Sequence, residues 1–270
     1  MPEMMVTRRQ FAVHGAALLG GAMIWPIHDL CAQVTVRPVR FVVVNDLHYR
    51  DDRCDGWLKT VTGHIRKLSP APDFCALAGD LSEDGARDQL RTVHRHFNEL
   101  PIPIHSIIGN HDYDQSGDRR EYDSIFGPHK NERLTIGGWE FLLLDSTERL
   151  GLYRTRISDD TFRWIDRTLP RIDSRSPIII VTHFPLGWNW LRPVNAHALL
   201  DRFRDHNLIA AFSGHWHGVT ERVERSAALM TDRCCSWWRT NHDGSKEKGY
   251  ALCTASVNGI ERQVIPIFPA

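Results

Sequence analysis

Neither sign of charge is in excess in this sequence, in which 33 Lys and Arg balance 33 Asp and Glu. Proteins that bind nucleic acid or an anionic membrane surface usually carry a basic surplus, so the charge balance indicates neither partner. The pattern Gly-x-Ser-x-Gly, typical of an exposed nucleophilic serine, is also missing. The sequence has no uninterrupted apolar run of the ~20 residues that a membrane-spanning helix needs.

Cysteine supplies no metal motif either. The chain has six cysteines, and their spacings match no zinc-binding pattern. An odd number of them follows residue 32, and the neighbours Cys234 and Cys235 could pair with each other only under strain. Cys75 lies in a predicted strand, where we expect a small core residue. One disulfide would suit an oxidising compartment, but the sequence selects no pair.

The N-terminus has the features of an export signal. Thr7-Arg8-Arg9-Gln10-Phe11 resembles the twin-arginine motif, and a weakly apolar stretch from residue 12 to 27 follows it. Because glycines and Pro26 interrupt that stretch, export is favoured over the alternative of a transmembrane anchor. The segment ends in small residues, Cys31 and Ala32, that suit cleavage. We therefore expect a signal peptide at residues 1–32, export by the twin-arginine machinery to the periplasm or another extracytoplasmic compartment, and no stable membrane anchor.

Residues 33–270 form one predicted domain of mixed α/β type. Apolar runs rich in valine or isoleucine predict buried strands, and helical patterns separate the first three of these runs. Such a βαβαβ beginning predicts parallel strands with right-handed crossovers. Gly137-Gly138 between two apolar segments predicts a hairpin. Short strand-like segments from Val219 onward predict a second, largely antiparallel sheet.

Five of the predicted strands end directly on polar side chains of the kinds that bind metals. These side chains are Asp46 and His48, then Asp80, then Asn110-His111-Asp112, then His183, and finally His215 and His217. Open α/β sheets bind their ligands at the carboxyl ends of strands, so we expect these side chains to meet there. One such cluster is weak evidence, since an imidazole often only forms hydrogen bonds. Five of them, each after a strand, indicate a metal site.

The number and chemistry of the candidate ligands indicate two ions. The sequence offers seven oxygen and nitrogen donors and no thiolate: Asp46, His48, Asp80, Asn110, His183, His215 and His217. Seven donors are too many for one tetrahedral zinc ion, and they suit two ions ~3.5–4 Å apart that share a carboxylate. Asp80, the carboxylate of the middle cluster, is the natural bridge. Mixed carboxylate, amide and imidazole ligation fits divalent or trivalent Mn, Fe, Co or Zn better than Mg or Ca.

The order of these motifs resembles that of the calcineurin-like metallophosphoesterase superfamily. Between residues 45 and 217 the sequence has Asp-x-His, Gly-Asp, Gly-Asn-His-Asp, Thr-His-x-Pro and Gly-His-x-His. The resemblance implies an α/β fold, a four-layer α/β/β/α sandwich with the two metals above the sheets. It also implies two ligand sets, of which one is Asp46, His48, Asp80 and His217 and the other is Asp80, Asn110, His183 and His215. Residues 79–85 are similar to bacterial cyclic-nucleotide phosphodiesterase-like members.

The activity that the resemblance implies is hydrolysis of small phosphomonoesters or phosphodiesters. A hydroxide that bridges the two metals would attack phosphorus. His111 would stabilise the transition state or protonate the leaving oxygen. Asp112 would orient that imidazole, or else cap the loop as turn carboxylates do. Trp188, Trp190 and Trp216 lie beside predicted ligands and would either stack on a base or aryl leaving group of the substrate or cover the core and the rim of the site.

Two other interpretations belong to different functional classes. A catalytically silent member would keep the fold as a binding scaffold, but the complete ligand set and the presence of His111 argue against it. A DNA nuclease would need electrostatic attraction to its substrate, and the charge balance argues against that.

Overall fold

Two six-stranded β-sheets form the framework of the protein. The computed structural model describes residues 23–24, 35–148, 151, 154–187 and 190–268. Most of the predicted signal peptide, including the twin-arginine motif, lies outside the described residues, and so does Trp188. Within the described ranges, no helix is long and apolar enough to cross a membrane.

The described elements alternate between strands and helices through most of the chain. The strands are β1 (Met23–Ile24), β2 (Val39–Val44), β3 (Phe74–Ala78), β4 (Ile104–Ile107), β5 (Asn131–Ile136), β6 (Trp139–Leu144), β7 (Pro177–Thr182), β8 (Asn207–Ser213), β9 (Thr220–Glu224), β10 (Ala227–Thr231), β11 (Lys248–Ser256) and β12 (Gly259–Ile267). The α-helices are α1 (Asp55–Arg66), α2 (Arg87–Asn98), α3 (Arg120–Phe126), α4 (Asp159–Thr168) and α5 (Ala196–Arg202). Short 3₁₀-helices lie at Asp52–Cys54, Asn110–Asp112 and Leu169–Arg171.

Parallel strands form one end of the first sheet and the centre of the second. The first sheet has the order β1-β12-β11-β2-β3-β4, and the second has the order β5-β6-β7-β8-β10-β9. Strands β2, β3 and β4 are parallel to one another, as are β6, β7 and β8, which confirms the predicted parallel beginning. The hairpin predicted at Gly137-Gly138 joins β5 to β6. Antiparallel pairing holds β1, β12 and β11 at the other end of the first sheet, and it holds β5 and β9 at the two edges of the second.

The C-terminal strands form no sheet of their own, so the prediction of a second, largely antiparallel sheet from Val219 onward is wrong. β9 and β10 extend the second sheet because β10 pairs in parallel with β8. β11 and β12 instead extend the first sheet, where Leu252 of β11 lies opposite Val42 of β2. Each hairpin thereby pairs a strand edge that would otherwise expose backbone N–H and C=O groups.

Strand alternation distributes the apolar side chains among three cores. Phe41 and Val43 face the second sheet, whereas Val42 and Val44 face α1, α2 and α3. Between the sheets, Phe41 and Phe141 pack edge to face with ring centroids 5.2 Å apart, and burying each ring contributes about 2 kcal/mol. Helices α4 and α5 cover the outside of the second sheet. The result is the predicted four-layer α/β/β/α sandwich.

Strand register brings the functional loops to one edge of the sandwich. In the first sheet Val44 lies opposite Leu77 and Ala78 lies opposite Ile107, so β2, β3 and β4 end at similar levels. In the second sheet Thr182 lies opposite Ser213. The five loops that carry the candidate ligands therefore begin close together.

Candidate metal centre

All seven candidate ligands lie together just after the carboxyl ends of β2, β3, β4, β7 and β8. Each is buried, with at most 6% of its surface exposed. Backbone hydrogen bonds fix the loops: the N–H of Asp46 donates to the Gly79 carbonyl at 3.1 Å, and the N–H of His48 donates to the Asp80 carbonyl at 2.8 Å. The structure thus brings together the side chains that the sequence placed after separate strands.

The donors divide into two groups that share Asp80. The first group includes Asp46, His48 and His217, where His217 Nε2 lies 3.4 Å from Asp46 Oδ1 and 3.2 Å from His48 Nε2. The second group includes His183 and His215 with Asp80. One carboxylate oxygen of Asp80 lies 3.6 Å from His48 Nε2, and the other lies 3.3 Å from His183 Nε2.

Asn110 belongs with the second group. Its Oδ1 lies 3.0 Å from His183 Nε2. The shared position of Asp80 is the geometry that a bridging carboxylate needs.

The backbone is strained at most of these donors. Five of them have φ in the left-handed region: Asp46 (55°), His48 (47°), Asp80 (52°), His215 (64°) and His217 (45°). Residues other than glycine rarely adopt this conformation, which costs about 1–3 kcal/mol at each position. Such strain clusters at binding and catalytic sites, because the surrounding structure forces side chains into one direction.

Glycine allows the loops to approach each other beneath the donors. Gly79 has φ of +80°, and a Cβ there would lie 2.7 Å from His183 Nδ1 and 2.8 Å from Gly109 Cα. A side chain at Gly109 would collide with the backbone and carboxylate of Asp80. Both glycines are therefore required for Asp80, Asn110 and His183 to converge.

Three imidazoles are oriented by a partner on the far side of the ring. Nδ1 of His48 lies 3.0 Å from a carboxylate oxygen of Glu83, and Nδ1 of His217 lies 3.2 Å from the Thr240 carbonyl. Nδ1 of His183 lies 3.0 Å from the Ala78 carbonyl. Because these partners are acceptors, each ring donates through Nδ1 and presents Nε2 to the centre, as metal-binding histidines do.

This tautomer makes the donor set fit a cation. Two Nε2 lone pairs would face each other at the 3.2 Å separation of His48 and His217, so a proton or a metal cation is required between them. The Asp46 and Asp80 carboxylates are also buried and need positive charge nearby. Hard oxygen and borderline nitrogen donors together suit transition-metal ions.

The pKa values show how protons neutralise the centre when no metal is bound. Burial is the strongest single influence on the pKa of His183 and lowers it, but the Asp80 carboxylate, with Asp46 and the Ala78 carbonyl, more than offsets burial and raises that pKa to about 9. At His217 burial likewise lowers the pKa, but Asp46 and then Cys234 together more than offset it and raise the pKa to about 11. Burial lowers the pKa of His215 to about 3, and the charge of His183 acts in the same direction.

His111 lies beside both groups without being deeply buried. Its backbone N–H donates to Asp80 at 2.8 Å, and its ring lies 4.7 Å from the ring of His48. Nδ1 of His111 lies 2.7 Å from the Glu83 carbonyl. His111 is therefore held by Nδ1 as the other imidazoles are, and Nε2 is available to another partner.

Asp112 caps the loop and makes no described hydrogen bond to the His111 ring. Its carboxylate accepts from the N–H of Gly109 at 2.8 Å, and from the N–H and hydroxyl of Ser82 at 2.8 and 3.0 Å. Burial, and then the nearby Asp80 carboxylate, raises the pKa of Asp112 to about 7. The geometry supports loop capping, the second of the two roles that the sequence left open.

The aromatic residues beside the site extend outward from His217. The His242 ring stacks on it with centroids 5.0 Å apart and an interplanar angle of 9°. Trp216 lies next to His242 and meets Trp190 edge to face at 6.3 Å. Trp190 is 63% exposed, so it does not pack in the core.

Sequence reasoning missed the residues that hold the donors in place. Glu83 lies three positions after Asp80, and this short spacing is a signal that could have identified it. Arg239 pairs with Glu83 from a distant part of the chain, and no local pattern predicts that contact. All five described cysteines are buried and free, so the described residues contain no disulfide.

The sandwich and its buried histidine and carboxylate cluster together define a metallophosphoesterase fold. Residues 39–219 match the family described as calcineurin-like phosphoesterase. The match covers more than half of the chain, so this protein belongs to that family. The superfamily resemblance seen in the sequence motifs is thereby confirmed.

Two proteins of similar sequence are named as phosphodiesterases. A 3',5'-cyclic-nucleotide phosphodiesterase of Nostoc is 26% identical over 209 residues, which cover 72% of this chain and 77% of that protein. A probable glycerophosphodiester phosphodiesterase, GpdQ of Arcobacter nitrofigilis, is 22% identical over 179 residues, which cover 62% of this chain and 65% of that protein. This chain therefore spans just under two thirds of the second relative.

Solved structures show the same fold at low sequence identity. GAP50, the anchor in the inner membrane complex of Plasmodium, superposes with a TM-score of 0.62 at 15% identity. The superposition covers 85% of this chain and 84% of GAP50. At this identity the likeness shows the fold alone.

Proposed function

We propose that this protein is a hydrolase of phosphate esters that uses two metal ions, and that phosphodiesters are its favoured substrates. The observation that carries the proposal is the arrangement of seven buried donors in two groups that share the Asp80 carboxylate. The family membership and the phosphodiesterase names of the relatives support the substrate class. A catalytically silent scaffold would have no use for the complete donor set and its strained backbone.

Each group of donors would hold one ion. Asp46, His48 and His217 with Asp80 would hold the first ion, while Asn110, His183 and His215 with Asp80 would hold the second. When bound, the ions supply positive charge for the phosphate oxygens and water that ionises near neutral pH. The mixture of imidazole and oxygen donors favours Mn, Fe, Co or Zn.

His111 would act on the substrate directly. Its Nδ1 donates to the Glu83 carbonyl, so a second proton on the ring resides at Nε2. From there it can be given to the leaving oxygen, or it can bind a phosphate oxygen as negative charge develops. General acid–base groups of this kind contribute about 10²–10⁴-fold in rate.

The test is hydrolysis of p-nitrophenyl phosphate and bis-p-nitrophenyl phosphate by protein reconstituted with Mn, Fe, Co or Zn. We expect metal-dependent turnover, faster with the diester, that is lost in Asp80→Ala together with metal binding. His111→Ala should keep both ions and lose rate. Folded protein that contains two ions and hydrolyses neither ester would support the scaffold instead. Salt-dependent DNA binding would contradict the expectation that nucleic acid is not a partner.

Export is a separate part of the proposal and rests on Arg8 and Arg9. Replacing both with lysine in the full chain should keep the protein in the cytoplasm, whereas the unchanged chain should appear in the periplasmic fraction. Equal distribution of the two forms would contradict export by the twin-arginine route.

A further inference from the structure

A loop near the C-terminus contacts the first group of donors. This loop, residues 232–247, connects β10 to β11 and lies after the region matched by the family. It is fixed to the rest of the structure, because the Cys235 N–H donates to the Asn45 carbonyl at 2.9 Å and Trp57 Nε1 donates to the Cys235 carbonyl at 2.7 Å. Whether the loop can hold a side chain in place at the site then depends on how rigid the loop itself is.

Internal hydrogen bonds hold the loop in one conformation. The buried amide of Asn241 donates to the carbonyls of Ser245 and Glu247 at 3.1 and 2.7 Å and accepts from the Cys234 N–H at 3.1 Å. The buried ammonium of Lys248 donates to the Arg239 carbonyl and lies 3.2 Å from Cys234 Sγ. The backbone is thus fixed before Arg239, at Cys234, and after it, at Ser245 and Glu247.

Arg239 reaches a metal-ligand candidate through Glu83. Its guanidinium donates to both carboxylate oxygens of Glu83, with Nε at 3.2 Å from Oε2. The same Oε2 lies 3.0 Å from Nδ1 of His48. Trp238 Nε1 also donates to the His48 carbonyl at 2.9 Å. His48 is therefore held at its ring and at its backbone by contacts that begin in the loop.

The two groups of donors differ in this support. In the first group, the loop orients His48 through Glu83 and orients His217 through the Thr240 carbonyl. In the second group, His183 is oriented by the end of β3 at the Ala78 carbonyl. Among the contacts described for His183 and Asn110, none comes from the loop.

We propose that Arg239 is a positioning residue that, acting through Glu83 and His48, sets the metal affinity of the first group and leaves the second group unchanged. The inference rests on the proposed metal centre. Arg239 touches neither substrate nor metal in this role. Its charge holds Glu83 in the one position from which that carboxylate fixes the tautomer and rotation of His48. Removing a group that hydrogen-bonds directly to a ligating histidine, as Glu83 does, typically lowers metal affinity about 10–100-fold, and this is the upper range for a change at Arg239, which acts through Glu83.

The matched variants are Arg239→Gln and Arg50→Gln. Both arginines stack on Trp238, with Cζ 4.6 and 5.3 Å from the ring centroid, but only Arg239 bonds to Glu83. Binding of Mn²⁺ or Zn²⁺ to the folded, full-length protein and its variants would be measured by calorimetry. The number of bound ions would be counted after dialysis. We expect two ions in the unchanged protein and in Arg50→Gln. Arg239→Gln should hold one ion as before and bind the other more weakly, by up to about 10–100-fold.

Two further comparisons identify the affected group. In an Asn110→Ala background, which spares the first group, adding Arg239→Gln should still weaken the remaining ion. In a His217→Ala background, which impairs the first group, it should not. Combining Arg239→Gln with Glu83→Gln should add little to the loss caused by either change, because both act through one contact. Arg239→Lys keeps the charge and should restore part of the affinity.

The outcomes separate this inference from the proposed function. An unchanged protein that binds no ion overturns the proposed function and this inference with it. An unchanged protein with two ions, and Arg239→Gln with the same two affinities, overturns only the inference. Equal weakening of both ions in folded Arg239→Gln also overturns it. A melting curve shows whether Arg239→Gln is folded. If it is not, the same metal-binding comparison is made with Arg239→Lys.

Discussion

Replacing Asp112 with alanine should destabilise the protein. The carboxylate is buried and accepts from two backbone N–H groups, those of Gly109 and Ser82, as well as from the Ser82 hydroxyl. Alanine has no acceptor, so both N–H groups are left buried and unpaired. Each such group costs about 1–3 kcal/mol, which gives a loss of about 2–6 kcal/mol in the free energy of unfolding.

The assay is urea unfolding of metal-free protein, with the free energy taken from midpoint and slope. Asp84→Ala is the control, since Asp84 lies in the neighbouring loop with an exposed side chain, and we expect a change within about 0.5 kcal/mol. The difference in free energy of unfolding between wild type and Asp112→Ala should also depend on pH. Because the folded-state pKa of Asp112 is raised to about 7, its contribution is present at low pH and is lost as pH rises through 7.

Equal free energies of unfolding for Asp112→Ala and Asp84→Ala would refute the capping role of Asp112. If Asp112→Ala also lost turnover while keeping wild-type stability, the carboxylate would act on His111 as the sequence first allowed. A loss of stability that grows with pH would contradict the direction of the pKa shift.

Three other predictions concern the site and its support. Metal binding should release protons from His183 and His217, whose pKa values of about 9 and 11 keep them protonated at pH 7. Metal affinity should therefore rise with pH, and calorimetry in buffers of different ionisation enthalpy should show the proton release. Equal heats of metal binding in all buffers would contradict it. Gly79→Ala should lose soluble folded protein or melt far lower, because its φ is +80° and a Cβ would meet His183; unchanged melting would refute this close approach. Arg119→Ala should cost about 3–5 kcal/mol in unfolding free energy, since Asp145 would be left buried without its 2.6 Å partner; a loss below 1 kcal/mol, the order found for exposed pairs, would contradict it.

The central strands could be predicted because their apolar runs are local signals. β2, β3, β7 and β8 are each buried along nearly their whole length, as parallel strands covered on both faces are. The C-terminal hairpins could not be assigned to a sheet in the same way. Their strand patterns are equally compatible with either sheet, and the choice depends on pairing of β11 with β2 at the opposite end of the chain.

The candidate ligands could be predicted for the same local reason, whereas their supports could not. Asp46, Asp80 and His183 each lie within two residues of the end of a strand, so their position at the sheet edge follows from the fold. The groups that orient the rings include a backbone carbonyl at Ala78 and the distant pair of Glu83 and Arg239. A carbonyl has no sequence signature, and a contact between distant loops appears only when the chain has folded.

Backbone strain at the donors explains why this site needs so large a framework. Five left-handed residues at about 1–3 kcal/mol each amount to roughly 5–15 kcal/mol, which is as large as the net stability of a typical domain. The strain is local, while the burial that offsets it is spread over three cores and two sheets. A fold with fewer layers would bury less apolar surface and would have less favourable free energy with which to offset this strain. Bound metal ions would act in the same direction as the framework, because their charge would neutralise carboxylates that the fold has already brought together.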